Sequence, residues 1–451
     1  MVAVLFGWFA TAVFISAVSG RHRKRAADHT RHLSIHSTIG AISGIGAVFA
    51  PDAKAVSNLP KVLSGAEVLV KNGCAALVGC QVGILTNPTA VTSDLQHIVD
   101  VLRAQPAVRV KCVFGPEHGF RGSAQDGKSE GSREDPRTGL PVYDLYRVRG
   151  EKICDVFRKS GIDTFVFDIQ DVGARFYTFV WLMYDCMLAA AKLGIKVVVL
   201  DRPNPVGGIM VEGPVLQRGF ESDLGCKPVA MRHGMTVGEL ASLFNGEFIR
   251  EDAGKACTLE VVKMEGWARH MLFGETGLPW VAPSPNMPTP ATALVYSGMG
   301  LFEGTNCSEG RGTTFPFEVM GAPWIDSRLA QAAQEAVRNG TVRGVGFREM
   351  YYQPTFSKFQ GQTIGGAYVH VLDPKQFRAV RTALVLLVAL KKLYGEQFQW
   401  RAPSGNRYFE DLLTGSDTLR RAVDSHASVD EIEALWQAEL EVFKFRRSRY
   451  L

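Results

Sequence analysis

The stretch TFVFDIQDVGARFYTFVWLMYDCMLAAAKLGIKVVVLDRPNP, residues 164–205, decides the fold class. It opens on a short apolar run at 164–169 and passes through a polar turn containing Gly173. Apolar residues then follow at helical spacing over 177–193, and a second apolar run closes the stretch at 196–200. Short runs rich in β-branched and aromatic residues, bounded by turn formers, read as strands buried on both faces. Strand, helix, strand within so few residues is a right-handed crossover between parallel neighbours. The alternation extends upstream, with strands at 82–86 and 108–114 and helices at 94–104 and 153–160. The expected fold class is therefore α/β: a parallel sheet covered on both faces, followed by a second, smaller α+β C-terminal domain. In the latter, 367–372 reads as a strand, 377–394 as a helix carrying Val380, Leu384, Leu387 and Leu390, and 429–443 as a last helix.

Length and composition bound the rest. Single cores seldom grow past about 250–300 residues, so a chain of 451 predicts two packed units, here 61–320 and 321–451. Apolar residues at 46% and charged residues at 21% exclude a disordered chain. The net charge is +5, yet residues 1–50 hold Arg21, Arg23, Lys24, Arg25 and Arg31 against Asp28 alone, so nearly all of the excess sits there. The near-neutral body lacks the basic stripe that a phosphate backbone needs, which sets nucleic acid aside as a partner. Eight scattered cysteines with no C-x-x-C pair read as core thiols. Residues 1–20 carry no charge and are mostly apolar, close to the roughly 20 residues of a spanning helix. Their basic cluster follows the apolar run, which fits an uncleaved anchor making membrane contact through 1–20. Ala17 and Ser19, however, offer a small-residue cleavage site that would release the body outside. The expectation is a secreted or membrane-anchored protein, with 21–60 as a basic, flexible linker.

Parallel strands deliver their carboxyl ends to one rim, where open α/β sheets bind ligands. The four strands are followed by Asn87-Pro88-Thr89, Gly115-Pro116-Glu117-His118-Gly119, Asp168-Ile169-Gln170-Asp171-Val172-Gly173 and Asp201-Arg202-Pro203-Asn204-Pro205. Four polar turns in succession predict a polar cleft. Asp168 and Asp201 also suit plain helix caps or turns, and Glu117 could simply pair with Arg121. A glutamate held between Pro116 and Gly119 is nevertheless aimed by a tight turn. Residues 122–139, rich in Gly, Ser and charge, read as a mobile loop beside Glu117; the bland alternative is a disordered insertion. Closing such a loop would expel water and raise a buried carboxylate's pKa, as a general acid requires. Farther on, WVAPSPNMPT (280–289), LFEGTN (301–306) and SEGRGT (308–313) form Pro- and Gly-rich loops. Their Asn, Glu, Arg and Thr beside Trp and Phe suit a sugar, whose hydroxyls meet polar groups and whose apolar faces meet flat rings.

From about residue 60 to 451 the chain resembles the NamZ-type exo-β-N-acetylmuramidases. The resemblance rests on GILTNPTAV (83–91), FGPEHGFRG (114–122), FDIQDVGARFYT (167–178), LDRPNP (200–205), PSPNMPT (283–289) and LFEGTNCSEGRGTTFPFE (301–318). It implies a Rossmann-like domain joined to a smaller carboxyl-terminal one, with the active site in the cleft between. The implied activity releases terminal N-acetylmuramic acid from the non-reducing end of peptidoglycan fragments, so muramic acid saccharides are the partners, without cofactor or metal. Glycoside cleavage usually needs a carboxylic acid for the leaving oxygen and a second group for the anomeric carbon or water. Glu117 is the expected acid, tuned by His118. Asp171 is favoured as the second group over Asp168 and Glu303, unless the 2-acetamido group of the substrate takes that part. The lactyl carboxylate calls for an arginine, for which Arg121, Arg175 and Arg311 are candidates. Asn87, Asp168, Tyr177, Asn204, Asn286, Glu303 and Asn306 complete the expected sugar contacts.

Two other classes compete. Glu117, His118, Asp168, Asp171 and His233 are metal-ligand types, but no H-x-x-E-H or H-E-x-x-H spacing occurs; activity that persists in excess EDTA separates the readings. A non-catalytic wall-fragment receptor would bind through the same loops and leave the disaccharide intact.

Overall fold

The structure, a computed structural model, describes residues 62–451. The expected apolar segment 1–20 and linker 21–60 lie outside the described residues. Among the described residues no helix is long and apolar enough to cross a membrane.

Nine strands fall in the first part of the described chain: β1 (Gln81–Thr86), β2 (Arg109–Gly115), β3 (Arg133–Glu134), β4 (Pro141–Asp144), β5 (Thr164–Asp168), β6 (Lys196–Leu200), β7 (Glu212–Val215), β8 (Ala230–Arg232) and β9 (Leu259–Val262). Seven of them form one sheet in the order β3-β4-β2-β1-β5-β6-β9, parallel except for β3. The period-2 alternation of a strand explains why helices cover both faces. Val82, Ile84, Val113, Val166, Val198 and Leu200 pack into one core with the helices Gly65–Lys71 and Ile98–Arg103. Leu85, Phe114, Phe165, Phe167, Val197 and Val199 face the other, with Glu151–Ser160 and Phe179–Leu193. The antiparallel pair β7–β8 stands apart.

The later strands β10 (Val319–Ala322), β11 (Val345–Tyr352) and β12 (Ile364–Val371) make an antiparallel sheet in the order β10-β12-β11. It packs against helix Ser327–Arg338, on which helix Ala379–Tyr394 lies in turn, giving the smaller α+β part. Its apolar residues, Leu329, Phe377 and Leu384 among them, are continuous with the core beneath β5 and β6. Helix Pro290–Met299 crosses Ala379–Tyr394 at Gly298, where a Cβ would fall 1.9 Å from the Ala379 carbonyl oxygen.

Two expected helices differ. The one expected at 94–104 begins only at Ile98, because Thr92 Oγ1 bonds Asp94 and Gln96, Leu95 takes a left-handed φ of 65°, and His97 caps the helix. The one expected at 429–443 is two, Val429–Ala434 and Gln437–Arg447, broken where Trp436 sinks into the core.

Candidate active site

At the carboxyl ends of the strands, the connections from β1 and β5 leave in opposite directions, the switch point at which doubly wound sheets take ligands. In this protein that crevice is filled: a void of about 10 Å³ remains among Thr89, Gln170, Arg202, Phe273 and Pro279. An open cavity of about 680 Å³ lies to one side. The ends of β2, β4 and β5 wall it with Glu117 and His118, with Leu145 to Arg149, and with Phe176 to Phe179. The later loops close it with Ser284, Asn286, Met287, Tyr296, Glu303, Arg311 and Phe317. Of the expected site residues, Glu117, His118, Tyr177, Asn286, Glu303 and Arg311 are brought together.

Glu117 leaves β2 through the turn at Pro116. Its Oε1 accepts from the Gly127 N–H at 2.9 Å and its Oε2 from the Thr178 hydroxyl at 3.2 Å. His118 takes a φ of 69°, its N–H donates to the Lys128 carbonyl and its Nδ1 lies 3.0 Å from the Ala124 carbonyl. Residues 122–139, expected as a mobile loop, are thus folded back onto the Glu117 turn. Glu130 anchors them, accepting from the Arg121 and Ser123 N–H groups, from the Ser123 hydroxyl and from Arg133. Gly119 is required there, since its φ is 86° and a Cβ would lie 2.2 Å from Glu130 Cγ.

On the opposite part of the lining, Arg311 reaches Glu303 at 3.0 Å, Glu309 at 3.3 Å and Asp126 at 3.7 Å, with its guanidinium over Phe317. Burial pushes the Glu303 carboxyl up, opposed by Arg311 and reinforced by Glu309 and Asp126. Burial disfavours the Arg311 charge, but the three carboxylates outweigh it and hold its pKa above the usual value. Lys358 pins this turn from behind, donating to the carbonyls of Phe302 and Cys307 and to Glu309. Three residues of the lining carry buried polar atoms that make no hydrogen bond within the protein: the Tyr177 hydroxyl, Asn286 Nδ2 and Arg311 Nη1. Buried polar atoms left so are costly.

The remaining expected contacts do not reach the cavity. Asp171 sits behind its wall: Oδ2 accepts from the Gly173 N–H at 2.7 Å and lies 3.4 Å from His233 Nε2, while Oδ1 has no hydrogen-bond partner. The acidity of Tyr177 is suppressed by burial and then by the charges of Asp171 and Glu117. Asp168 makes a two-pronged ion pair with Arg202, both buried. Asn87 folds onto the Thr89 N–H and hydroxyl, and Asn204 onto the Met235 carbonyl and the Val206 N–H. Asn306 bridges Gln397 and Gln399, and Arg121 pairs with Asp135 over the Phe120 ring. Arg175 is fully buried and donates to the carbonyls of Pro214, Val229 and Leu413, so it cannot meet a substrate anion. The turns after β1 and β6 are therefore mainly internal ties: apart from the Asn87 Nδ2, which is buried without a partner, the polar groups named here bond within the protein. Sequence reasoning overlooked Asp126, Tyr146, Arg147, Tyr296 and Arg401 in the lining. Among the described residues no three His, Cys, Asp or Glu side chains are grouped as a metal ion would need.

A doubly wound α/β body whose off-centre, carboxylate-walled cavity is faced with aromatic rings and unmatched hydrogen-bonding groups has the constitution of a glycoside hydrolase. Comparison with known proteins narrows the class. The sequence model of the N-terminal domain of exo-beta-N-acetylmuramidase NamZ matches residues 82–291 and that of its C-terminal domain residues 294–451. The chain belongs to this family. It is 41% identical over 420 residues to the peptidoglycan beta-N-acetylmuramidase NamZ of Bacillus subtilis (strain 168), covering 93% of this chain and 97% of that relative. Two crystal structures of DUF1343 family proteins from Bacteroides fragilis NCTC 9343 share its fold. One has a TM-score of 0.77 at 32% identity, over 87% of this chain and 98% of the other; the second has 0.67 at 30%, over 87% and 99%.

Proposed function

We propose that the protein is an exo-β-N-acetylmuramidase that releases terminal N-acetylmuramic acid from the non-reducing end of peptidoglycan fragments, with Glu117 as its proton donor and acceptor. The observation that carries the assignment is the company Glu117 keeps. Among the carboxylates lining the cavity, Asp126 and Glu303 are paired to Arg311 and Asp223 to Arg149. Glu117 alone is held by neutral donors. The Thr178 hydroxyl donates to the carboxylate and, by rotating, accepts from the carboxylic acid. Glu117 can therefore give up and regain a proton without stranding a counter-charge. Glu303 and Tyr177 are the groups for the second role, orienting water or the 2-acetamido group. Asp171 acts from behind Tyr177.

Incubation with a disaccharide bearing muramic acid at its non-reducing end tests the reading. Free N-acetylmuramic acid should accumulate, and a variant with Glu117→Gln should release it far more slowly. Intact disaccharide after prolonged incubation with the wild-type protein would mark a receptor instead of an enzyme.

A further inference from the structure

N-acetylmuramic acid differs from N-acetylglucosamine by a lactyl ether, which near neutral pH is a carboxylate. A cavity that selects the first sugar must offer that anion a cation not already matched within the protein. Four arginines line the cavity, Arg147, Arg149, Arg311 and Arg401. Arg149 is paired with Asp185 and Asp223, and Arg311 with Glu303, Glu309 and Asp126. Among the described residues, Arg147 and Arg401 have no carboxylate at ion-pair distance. Their guanidinium groups lie over the Tyr146 and Phe409 rings, 4.9 and 4.7 Å from the centroids.

The backbone separates these two. Arg147 is the third residue of a turn closed by the Val148 N–H on the Leu145 carbonyl, and its φ is 58°. Left-handed backbone is strained for an L-residue, and glycine adopts it freely. An exposed arginine in a turn suited to glycine contributes nothing to the fold that glycine would not; what it adds is its side chain. That side chain stands on the same wall as Glu117, stacked on the ring of Tyr146, which feels the charges of both Glu117 and Arg147. Arg401 instead sits in the later loop, its N–H on the Gly304 carbonyl.

We propose that Arg147 recognises the lactyl carboxylate of the bound sugar and so selects N-acetylmuramic acid over its uncharged analogue. The assignment rests on the muramic acid reading of the cavity, and the test keeps the two apart. Arg147→Gly removes the guanidinium while relieving the turn, so the variant keeps or gains thermal stability. Calorimetric titration of wild type and variant with N-acetylmuramic acid and with its methyl ester reads the contact directly, beside hydrolysis of a chromogenic muramic acid glycoside. The wild type should bind the acid about 10- to 100-fold more tightly than the ester, the range of a charge-assisted contact. Arg147→Gly should bind the two alike and lose activity through KM more than kcat. A preference for the acid that survives in Arg147→Gly overturns the proposal, as does one abolished only by Arg401→Met, or a wild type indifferent to esterification. A wild-type protein that neither binds nor cleaves any of these sugars overturns the muramidase reading itself.

Discussion

Glu117 and Asp201 are both carboxylates at the ends of parallel strands, and their partners give them opposite duties. Glu117 faces the cavity with one N–H and one hydroxyl. Replacing it by Gln preserves both contacts and removes the exchangeable proton, so turnover of a chromogenic muramic acid glycoside should fall by about 10²- to 10⁴-fold while the melting temperature holds. Near-normal turnover would remove Glu117 from the chemistry. Asp201 is buried under the helix Val237–Phe244 and accepts from the Gly238 N–H, the Thr236 hydroxyl and the Arg202 N–H. Burial nonetheless pushes its pKa up to about 7 from an ordinary value of 3.8. Between roughly pH 4 and 7 the unfolded chain therefore binds fewer protons than the folded one, and this group's contribution to stability is lost as pH rises through that window. Thermal melts should show wild type losing ground to Asp201→Asn as the pH goes from 4 to 7. A difference that does not change with pH would mean that Asp201 stays ionised in the fold.

At the scale of elements, the loop 122–139 belongs to the wall of the cavity, because the Gly127 N–H donates to Glu117 and Asp126 pairs with Arg311. Its anchor is Glu130, so Glu130→Ala should free the loop, speed proteolytic cutting within it and lower kcat about tenfold or more, as lost positioning does, with little change in melting temperature. Unchanged proteolysis would place the anchor elsewhere. The strands β5 and β6 could be read from sequence because nearly every residue is apolar and buried, and the crossover rule then left one topology. β4 could not. It is four residues long, opens on Pro141 and carries no apolar run, so the turn after it, with Tyr146 and Arg147, went unread although it forms a wall. The glutamate turn was legible because Pro116 and Gly119 aim it locally. The fate of each arginine was not, since a long flexible side chain takes its partner from distant parts of the chain: Arg175 vanishes among carbonyls while Arg147 stands at the cavity.

On the scale of the whole molecule, one apolar interior extends from the parallel sheet into the antiparallel one. The crossing of Pro290–Met299 with Ala379–Tyr394 joins them with no room for a side chain at Gly298. Gly298→Val should therefore wedge the helices apart at a cost of about 1–3 kcal/mol, lowering a single calorimetric transition shared by both parts. Two separated transitions, with only the later part weakened, would show that the parts melt independently. Arg175 ties the same assembly together from within. Its one charge is divided among oxygens contributed by Pro214, Val229 and Leu413, almost two hundred positions apart. An engineer who grafts the last third of a relative onto this scaffold must reproduce the depth of the Leu413 oxygen, or else bury a guanidinium one acceptor short; chimaeras here will fail by misregistration long before their active sites are at fault.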